Sequence, residues 1–305
     1  MTEPTWMYRR GDLADGPWES LIDPRQSRWS DTAWQYTGLA VAHLTQGCEA
    51  ELPGLGLEKI VVPLSGEFEV EHDGVTTVLT GRPSVFDGPT DVLYLGCSAT
   101  GSIRGVGRVA VALAPTDQER PARYLPAEAT PIELRGSGNA SRQVHNFAVP
   151  SDDPGAESID AARLIVCEVV TPAGNWSSYP PHKHDEEIPG HETALEEIYY
   201  FEAAPERGGP RAGEPFGVML ASSSRVGSIE MTTRVRSGDI VLIPYGYHGP
   251  AGAPPSYDLY YLNVMAGPGH ERAWRISDDP AHAWVRETWP HQTIDPRLPY
   301  RREHP

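Results

Sequence analysis

The chain has 305 residues, a formal net charge of −17 and a hydrophobic content of 39%. This hydrophobic content is sufficient for a packed core and argues against a disordered chain. The chain has 42 acidic and 25 basic residues. This excess of negative charge repels phosphate backbones and anionic lipid, so nucleic acid and membrane surfaces are poor candidate partners.

The cysteines and the N-terminal sequence predict a compartment. Cys48, Cys97 and Cys167 are far apart and odd in number, so no disulfide framework is expected. The opening MTEPTWMYRRGD has no apolar signal segment, and no stretch of the chain is apolar enough to span a membrane. We therefore expect a soluble, cytoplasmic protein.

Strand patterns follow one another closely in the first half of the chain. Alternating apolar residues predict strands at 59–64, 67–72, 75–79 and 108–113. The Asp73-Gly74 pair between two of these runs is typical of a tight β-hairpin, and Ser65-Gly66 indicates another turn. The 30 glycines and 30 prolines of the chain also favour short strands over long helices.

The same pattern starts again in the second half, after a proline- and acid-rich passage. Strands are predicted at 162–170, 197–202, 216–220, 227–236, 239–244 and 257–265. Helix patterns are short, for example around 280–286. We therefore predict an all-β protein with few short helices, built from two tandem β-barrels or sandwiches. The expected domains are 1–150 and 151–305, with 151–158 as the linker.

A group of histidines and acidic residues in the second half predicts a metal site. His182 and His184 are two residues apart, so on a strand both imidazoles point to one face, and Lys183 points to the other. Glu197 opens an apolar strand, where a carboxylate is costly unless it is paired or binds a metal. The first half has no such histidine pair and is expected to be metal-free.

A second motif completes the predicted ligand set. The segment 238–248, GDIVLIPYGYH, combines glycines for tight turns with a proline that ends a strand and the terminal His248. Three histidines and one glutamate form a mixed nitrogen and oxygen set. Such a set suits a divalent ion, with Zn²⁺ preferred and Mn²⁺, Fe²⁺, Co²⁺ and Ni²⁺ as alternatives.

These motifs resemble those of the cupin superfamily, which implies two tandem cupin-type β-barrels (a bicupin). The gap between His184 and Glu197 is longer than in a typical cupin, and we interpret 185–196 as an insertion over the barrel mouth. Its carboxylates, together with His191, are expected to form a hydrated acidic lid.

A closer resemblance extends along nearly the whole chain. NWSSYPPHKHD (175–185), LEEIYYF (195–201), PYGYH (244–248) and SRQVHNFAVP (141–150) resemble the 5-deoxy-glucuronate isomerase family of bacterial inositol catabolism, which is related to the 5-keto-4-deoxyuronate isomerases. In these families the glutamate directly before the aromatic strand is a ligand, which favours Glu197 over Glu196. The segment 219–225 departs from the family pattern and leaves the exact uronate open.

The resemblance implies a metal-dependent aldose–ketose isomerase acting on a small sugar acid. The catalytic base is open between Tyr199, a metal-bound hydroxide and a carboxylate of the lid such as Glu187. Lys183, Arg234 and Arg236 are candidates for binding the substrate carboxylate.

Two other functions and the assembly state remain open. A bicupin dioxygenase could use the same ligands with oxygen, and a non-catalytic cupin could bind a sugar without changing it. A homo-oligomer is compatible with the sequence.

Overall fold

The computed structural model describes residues 5–30, 32–151, 155, 157–210 and 213–301. The predicted all-β fold is confirmed, because strands dominate these residues. In the first part of the chain the strands are β1 (Met7–Tyr8), β2 (Ser20–Ile22), β3 (Gly38–Leu44), β4 (Glu49–Glu51), β5 (Leu57–His72), β6 (Val75–Arg82), β7 (Val92–Leu95), β8 (Gly101–Pro115), β9 (Arg123–Leu125), β10 (Ile132–Arg135) and β11 (Arg142–Ala148).

Ten further strands and one short α-helix follow among the described residues. They are β12 (Ile165–Thr171), β13 (Trp176–Ser177), β14 (His182–Lys183), β15 (Glu196–Pro205), β16 (Gly217–Ser222), β17 (Met231–Val235), β18 (Ile240–Ile243), β19 (Tyr247–Gly252), β20 (Tyr257–Ala266), β21 (Ser277–Asp278) and α1 (Val285–Thr288). Single 3₁₀ turns lie at Ser27–Trp29, Val85–Asp87, Ala127–Ala129, Gly138–Ala140 and Trp289–His291. None of the helices in the described ranges is long and apolar enough to cross a membrane.

The strands of the described residues form three antiparallel sheets. An eight-stranded sheet has the order β2-β3-β8-β5-β7-β9, with β4 added to β8 and β6 added to β5. A seven-stranded sheet has the order β1-β18-β15-β20-β12-β11-β10. A six-stranded sheet has the order β17-β16-β19-β14-β21, with β13 added to β19.

Strand alternation divides the core into two clusters. On β5, Ile60 and Val62 belong to a large apolar cluster that also contains the interior of the seven-stranded sheet. Val61, between them, belongs to a smaller cluster enclosed by the eight-stranded sheet. The large cluster also contains Met219 and Ala251 of the six-stranded sheet. All three sheets therefore contribute to the large cluster.

Hydrogen bonding does not divide the chain at residue 150. Strands β10 and β11, at 132–148, pair in sequence with β12 of the seven-stranded sheet, and β1 pairs with β18 at its other edge. The acid- and proline-rich passage is therefore followed by two strands, β10 and β11, that join the sheet of the second half. Of the predicted linker, residues 152–154 and 156 lie outside the described residues.

Two turn predictions had different outcomes. The hairpin at Asp73-Gly74 is confirmed, because it joins β5 to β6 with φ of 49° and 80° at its two residues. The turn predicted at Ser65-Gly66 is wrong, because β5 runs through it with a shift of register against β8. A Cβ on Gly66 would lie 1.9 Å from the carbonyl oxygen of Val106, so glycine serves close strand contact there.

A buried charged cluster joins the eight-stranded and seven-stranded sheets. Arg82, at the end of β6, pairs through both terminal nitrogens with Glu168 of β12. The same carboxylate contacts the Nδ1 of His145 at 2.9 Å and accepts a 2.6 Å hydrogen bond from the Tyr260 hydroxyl. The side chains of Arg82 and Glu168 are 2% and 0% exposed, so this ion pair is fully enclosed by protein.

Candidate metal centre and substrate cavity

Three separate strands bring the predicted metal ligands together. β14 pairs with β19 so that His182 lies opposite His248. Glu197 lies on β15, between its pairing partners Ile243 and Met265. One ring nitrogen from each of His182, His184 and His248 lies within 4.8 Å of the other two, and all three rings are buried.

Backbone carbonyls orient each of the three imidazoles. The Nδ1 atoms of His182, His184 and His248 face the carbonyl oxygens of Pro180, Leu195 and Gly246 at 3.4, 3.1 and 3.1 Å, respectively. Because a carbonyl can only accept, these contacts place a proton on the Nδ1 of each ring, and Nε2 is the ring nitrogen that remains for the cluster. An outer hydrogen bond of this kind is typical of metal-binding histidines.

Glu197 supplies the fourth donor of the cluster. Its Oε2 lies 3.0 Å from the Nε2 atoms of both His184 and His248. Donor atoms this close to one another could bind the same ion. Burial by itself raises the pKa of Glu197, but the neighbouring His184 and His248 outweigh it and lower the pKa to about 2. The carboxylate is therefore ionised at neutral pH, as a ligand must be.

One unsatisfied atom shows that the cluster is suited to a metal ion. The Nε2 of His248 is buried and has no assigned hydrogen bond, although the Oε2 of Glu197 lies 3.0 Å away. A buried polar nitrogen without a partner is costly in a purely structural cluster. Three imidazoles and a carboxylate around one point fit a divalent ion such as zinc.

Glu196 points away from this cluster, as strand alternation predicts. Its carboxylate accepts backbone hydrogen bonds from Gln35, Tyr36 and Thr37 at 2.6 to 3.0 Å. It thus fixes the segment that leads into β3, on the opposite face of β15 from the histidines. The two adjacent glutamates have different environments and serve different purposes.

A cavity of about 210 Å³ opens on the metal-type cluster. Its lining residues are Arg135, Arg142, Val144, Val169, Ser178, His182, Glu197, Tyr199, Tyr261, Asn263, Trp274, Ile276 and Arg286. This volume suits a ligand smaller than a drug-sized molecule, for which pockets of about 300–1,000 Å³ are usual.

Hydroxyl and amide groups project into the cavity next to Glu197. The Ser178 hydroxyl lies 3.1 Å from the hydroxyls of both Tyr199 and Tyr261. Ser178 has a φ of 46°, a conformation that is strained for a residue other than glycine and that recurs at functional sites. The Nδ2 of Asn263 is buried without a hydrogen-bond partner. The cavity therefore offers polar groups suited to several sugar oxygens.

Three arginines that sequence reasoning missed line the same cavity. Arg135 ends β10, Arg142 begins β11, and Arg286 lies in α1. Only Arg142 could have been noticed in the sequence. It is two residues from Val144, so on a strand the arginine lies on the same face as an apolar side chain. That this face lines the cavity depends on the pairing of β11 with β12, which the local sequence pattern does not predict.

The structure places the four other predicted substrate and catalytic residues outside the cavity lining. Lys183 donates to Asp185, Glu186 and Glu192 at 2.7 to 2.8 Å, so its charge is already paired. Glu187 is exposed and accepts a hydrogen bond from the backbone of Ala194. Arg234 lies over the ring of Phe216, and Arg236 lies 4.0 Å from Glu214.

The expectation of a hydrated acidic lid is wrong for the carboxylates around Lys183. The side chains of Asp185 and Glu192 are only 2% and 1% exposed. They fold inward because the Lys183 ammonium offers three donors, and the backbone nitrogens of Asp185 and Glu186 add two hydrogen bonds to Glu192. The insertion thus forms a compact ion cluster behind His182 and His184.

Fold and donor set together define a bicupin, a protein of tandem cupin-type β-barrels, with a metal-type site in its second half. An oxalate decarboxylase from Lactobacillus farciminis has the same fold at a TM-score of 0.59 and 10% identity, over 91% of this chain and 89% of that one. More specifically, the KduI/IolB family model matches residues 17–285, and the chain belongs to this family.

Relatives of known name agree with this assignment. The chain is 39% identical over 257 residues to the 5-deoxy-glucuronate isomerase of Halalkalibacterium halodurans, over 83% of this chain and 89% of that protein. It is 40% identical over 234 residues to the 5-deoxy-glucuronate isomerase of Bacillus subtilis, and this match covers 75% of this chain and 80% of that protein. The crystal structure of an IolB-like protein from Salmonella typhimurium matches with a TM-score of 0.79 and 30% identity, over 92% of this chain and 99% of that one.

Proposed function

We propose that this protein is a metal-dependent aldose–ketose isomerase that converts 5-deoxy-D-glucuronate into 5-dehydro-2-deoxy-D-gluconate. The observation that carries the proposal is the cluster of His182, His184, His248 and Glu197 at the end of a small polar cavity. The relatives named 5-deoxy-glucuronate isomerase support the choice of substrate. In keeping with that substrate, we place the reaction in inositol catabolism in the cytoplasm.

We assign His182, His184, Glu197 and His248 as the ligands of a divalent ion, with zinc preferred because the reaction needs no redox change. Such an ion, when bound, would act as a Lewis acid on the carbonyl of the open-chain sugar. The buried Nδ1 contacts of the three histidines hold the rings in place for this purpose. No reorganisation of the ligands is then needed when substrate enters.

The reaction moves hydrogen within one molecule. The C2 hydrogen of the aldose is lost as a proton and a proton is added at C1, while the proton of the C2 hydroxyl is exchanged for one on the C1 oxygen. Atoms and electrons balance without a second substrate. A cavity that shields these proton transfers from bulk water, and that supplies hydroxyl groups to both oxygens, suits this chemistry.

We assign Tyr199 to the proton exchange between the two substrate oxygens. Burial, reinforced by the charge of Glu197, raises the pKa of Tyr199 well above its usual value. The hydroxyl is therefore protonated and acts as a donor, while a free tyrosinate base is disfavoured. Ser178, 3.1 Å from Tyr199 and from Tyr261, links the donor to a second hydroxyl that can resupply its proton.

Replacement of Tyr199 by Phe tests this role. We expect kcat to fall about 100-fold, the usual scale for a lost proton-transfer group, while the metal content stays unchanged. The matched control is Tyr200→Phe, because Tyr200 is equally buried but donates to Glu202 on the other face of β15. Steady-state kinetics with metal analysis would check both variants, and equal kcat values for the Tyr199→Phe variant and the parent protein would remove Tyr199 from the mechanism.

Oxygen dependence distinguishes the isomerase from a bicupin dioxygenase. We expect the purified metal-loaded protein to convert 5-deoxy-D-glucuronate to the ketose at the same rate in air and under nitrogen, with no oxygen uptake at an electrode. Oxygen consumption in step with substrate loss would contradict the isomerase and support the dioxygenase. Binding without any conversion would instead support a sugar-binding protein.

A further inference from the structure

Arg142 differs from the other two arginines that line the cavity. Arg135 forms two hydrogen bonds to Glu133, at 2.9 and 2.7 Å, and Arg286 is paired with Asp278. Arg142 donates from Nη1 to the carbonyl oxygen of Ala140 at 3.1 Å. Among the described residues, no carboxylate forms an ion pair with it. Arg142 therefore brings to the cavity a positive charge that is not directly paired with a carboxylate.

This charge is buried, which makes its lack of a counterion costly. Arg142 is 5% exposed. Burial, together with the nearby Arg135, lowers the pKa of the Arg142 guanidinium to about 10, so the protein environment disfavours the charged form. A buried cation of this kind is stabilised when an anion with matching geometry arrives. A guanidinium can bind a carboxylate through two parallel hydrogen bonds.

The loop before Arg142 is built closely around its guanidinium. Gly136 has a φ of 75°, and a Cβ at that position would lie 2.7 Å from the Nη1 of Arg142 and 2.1 Å from the carbonyl oxygen of Ala140. A larger residue would displace both the side chain and its one hydrogen-bond acceptor. Glycine at 136 therefore permits the observed position of Arg142 at the cavity wall.

The C-terminal segment holds the same arginine from the other side. Two guanidiniums lie over the ring of Trp289, that of Arg142 at 5.5 Å and that of Arg286 at 5.1 Å from its centre. This stacking orients the planar group without neutralising its charge. Trp289 lies beyond residues 17–285, which the family model matches.

Hydrogen bonds from the segment that follows Trp289 hold the loop in place. The Gly138 nitrogen donates to the carbonyl oxygen of Thr293 at 2.8 Å, and the Asp295 nitrogen donates to the Ser141 hydroxyl at 3.0 Å. The strand start that carries Arg142 is thus fixed from both the loop and the C-terminal segment. An orientation fixed before the substrate binds favours recognition of a carboxylate.

We propose that Arg142 binds the carboxylate of the sugar acid and is the residue that makes this site select an acid over a neutral sugar. The inference rests on the proposed function, because it assigns each end of the proposed substrate to a different part of the cavity. The carbonyl end lies at the cluster of His182 and Glu197, and the carboxylate end lies at Arg142, since all three residues line one cavity. Lys183, Arg234 and Arg236 are not needed for this contact.

The test compares two substrates that differ only at the anionic end. One is 5-deoxy-D-glucuronate, and the other is its neutral analogue with CH₂OH in place of the carboxylate. We expect Arg142→Gln to lower kcat/KM for the acid about 100-fold, the scale of a lost charge-assisted bidentate contact, and to change the value for the neutral analogue less than about threefold. Arg142→Lys should recover part of the loss, because a point charge replaces the planar fork.

Arg234→Gln is the matched control. Arg234 also lies over an aromatic ring, that of Phe216, but it is exposed and does not line the cavity. We expect it to leave both substrates unaffected. Thermal unfolding adds a second readout, because removing an unpaired buried charge should leave the melting temperature of Arg142→Gln unchanged or higher. A purely structural arginine would lower it.

Several outcomes would overturn the inference. Equal losses on the acid and the neutral analogue would show that Arg142 acts on the site as a whole. An unchanged preference for the acid in Arg142→Gln, or in Arg142→Lys if the first variant does not fold, would remove it from carboxylate binding. Failure of the parent protein to isomerise the acid would reject the proposed function itself, and with it this inference.

Discussion

Replacement of Glu197 by Gln is expected to lower metal affinity at least about 100-fold and to abolish isomerisation. Even outer contacts of metal ligands cost 10–100-fold when removed, and Glu197 contributes the one carboxylate that lines the cavity among the described residues. The amide keeps the shape of the side chain but loses its negative charge. Metal content after dialysis, measured together with ketose formation, would check the prediction.

The adjacent Glu196 provides the matched control. Glu196→Gln makes the same chemical change one residue earlier, on the opposite face of the strand, where the carboxylate holds the backbone of Gln35, Tyr36 and Thr37. We expect this variant to be less stable, by about 1–3 kcal/mol, because the amide cannot accept all three backbone hydrogen bonds, while it keeps its metal. Normal metal content in Glu197→Gln, or metal loss confined to Glu196→Gln, would reverse the assignment of the two glutamates.

Replacement of Glu168 by Gln is expected to lower the free energy of unfolding by about 3–5 kcal/mol, because it leaves the Arg82 guanidinium buried without its counterion. The pair joins the eight-stranded and seven-stranded sheets, and both side chains are enclosed. Denaturant unfolding would measure the change. The control is Glu69→Gln, which breaks the exposed pair between Glu69 and Arg104 and should cost less than about 1 kcal/mol.

The same carboxylate predicts a pH dependence of stability. Burial by itself raises the pKa of Glu168, but Arg82 and His145 outweigh it and lower the pKa from 4.5 to about 2. A depressed folded pKa contributes stability above the unfolded value, and this contribution is lost as pH falls from 4.5 through 2. The parent protein should therefore lose about 3 kcal/mol of unfolding free energy between these pH values through this group, and Glu168→Gln should not show this loss.

A double variant separates the ion pair from the general packing at this position. In Arg82→Met with Glu168→Met, both charges are replaced by apolar groups, so part of the lost stability should return. If the double variant is as unstable as the sum of the two single variants, the pair does not act as a unit. Unchanged acid stability in Glu168→Gln would also contradict the assigned pKa.

Local patterns in the sequence indicated the separate parts of the metal-type cluster, and the family resemblance supported the choice of Glu197. The spacing of His182 and His184, and the alternation that separates Glu197 from Glu196, follow from strand geometry. The hairpin at Asp73-Gly74 follows from turn chemistry in the same way. Each of these features depends on residues that are neighbours along the chain or on one strand, whereas the meeting of β14, β15 and β19 at one point depends on strand pairing.

Features that depend on distant partners could not be read in this way. Arg142 reaches the cavity because β11 pairs with β12 and the C-terminal segment packs against its loop. Ser65-Gly66 lies within a strand because β8 continues alongside it. The acidic loop after His184 folds inward because Lys183 turns back to meet it. In each case the structure depends on a contact that the alternation of residues along one strand does not predict.

The most direct test of the account is proton NMR of the purified protein with 5-deoxy-D-glucuronate in D₂O under nitrogen, with and without a chelator. We expect the ketose to form without oxygen, to stop forming after chelation and to form again when a divalent ion is restored. Deuterium on the CH₂OH carbon of the product (C6 of the ketose, which was C1 of the aldose) would show proton exchange during the transfer. Unchanged substrate with metal-replete protein, or conversion that continues after complete metal removal, would contradict the central claim.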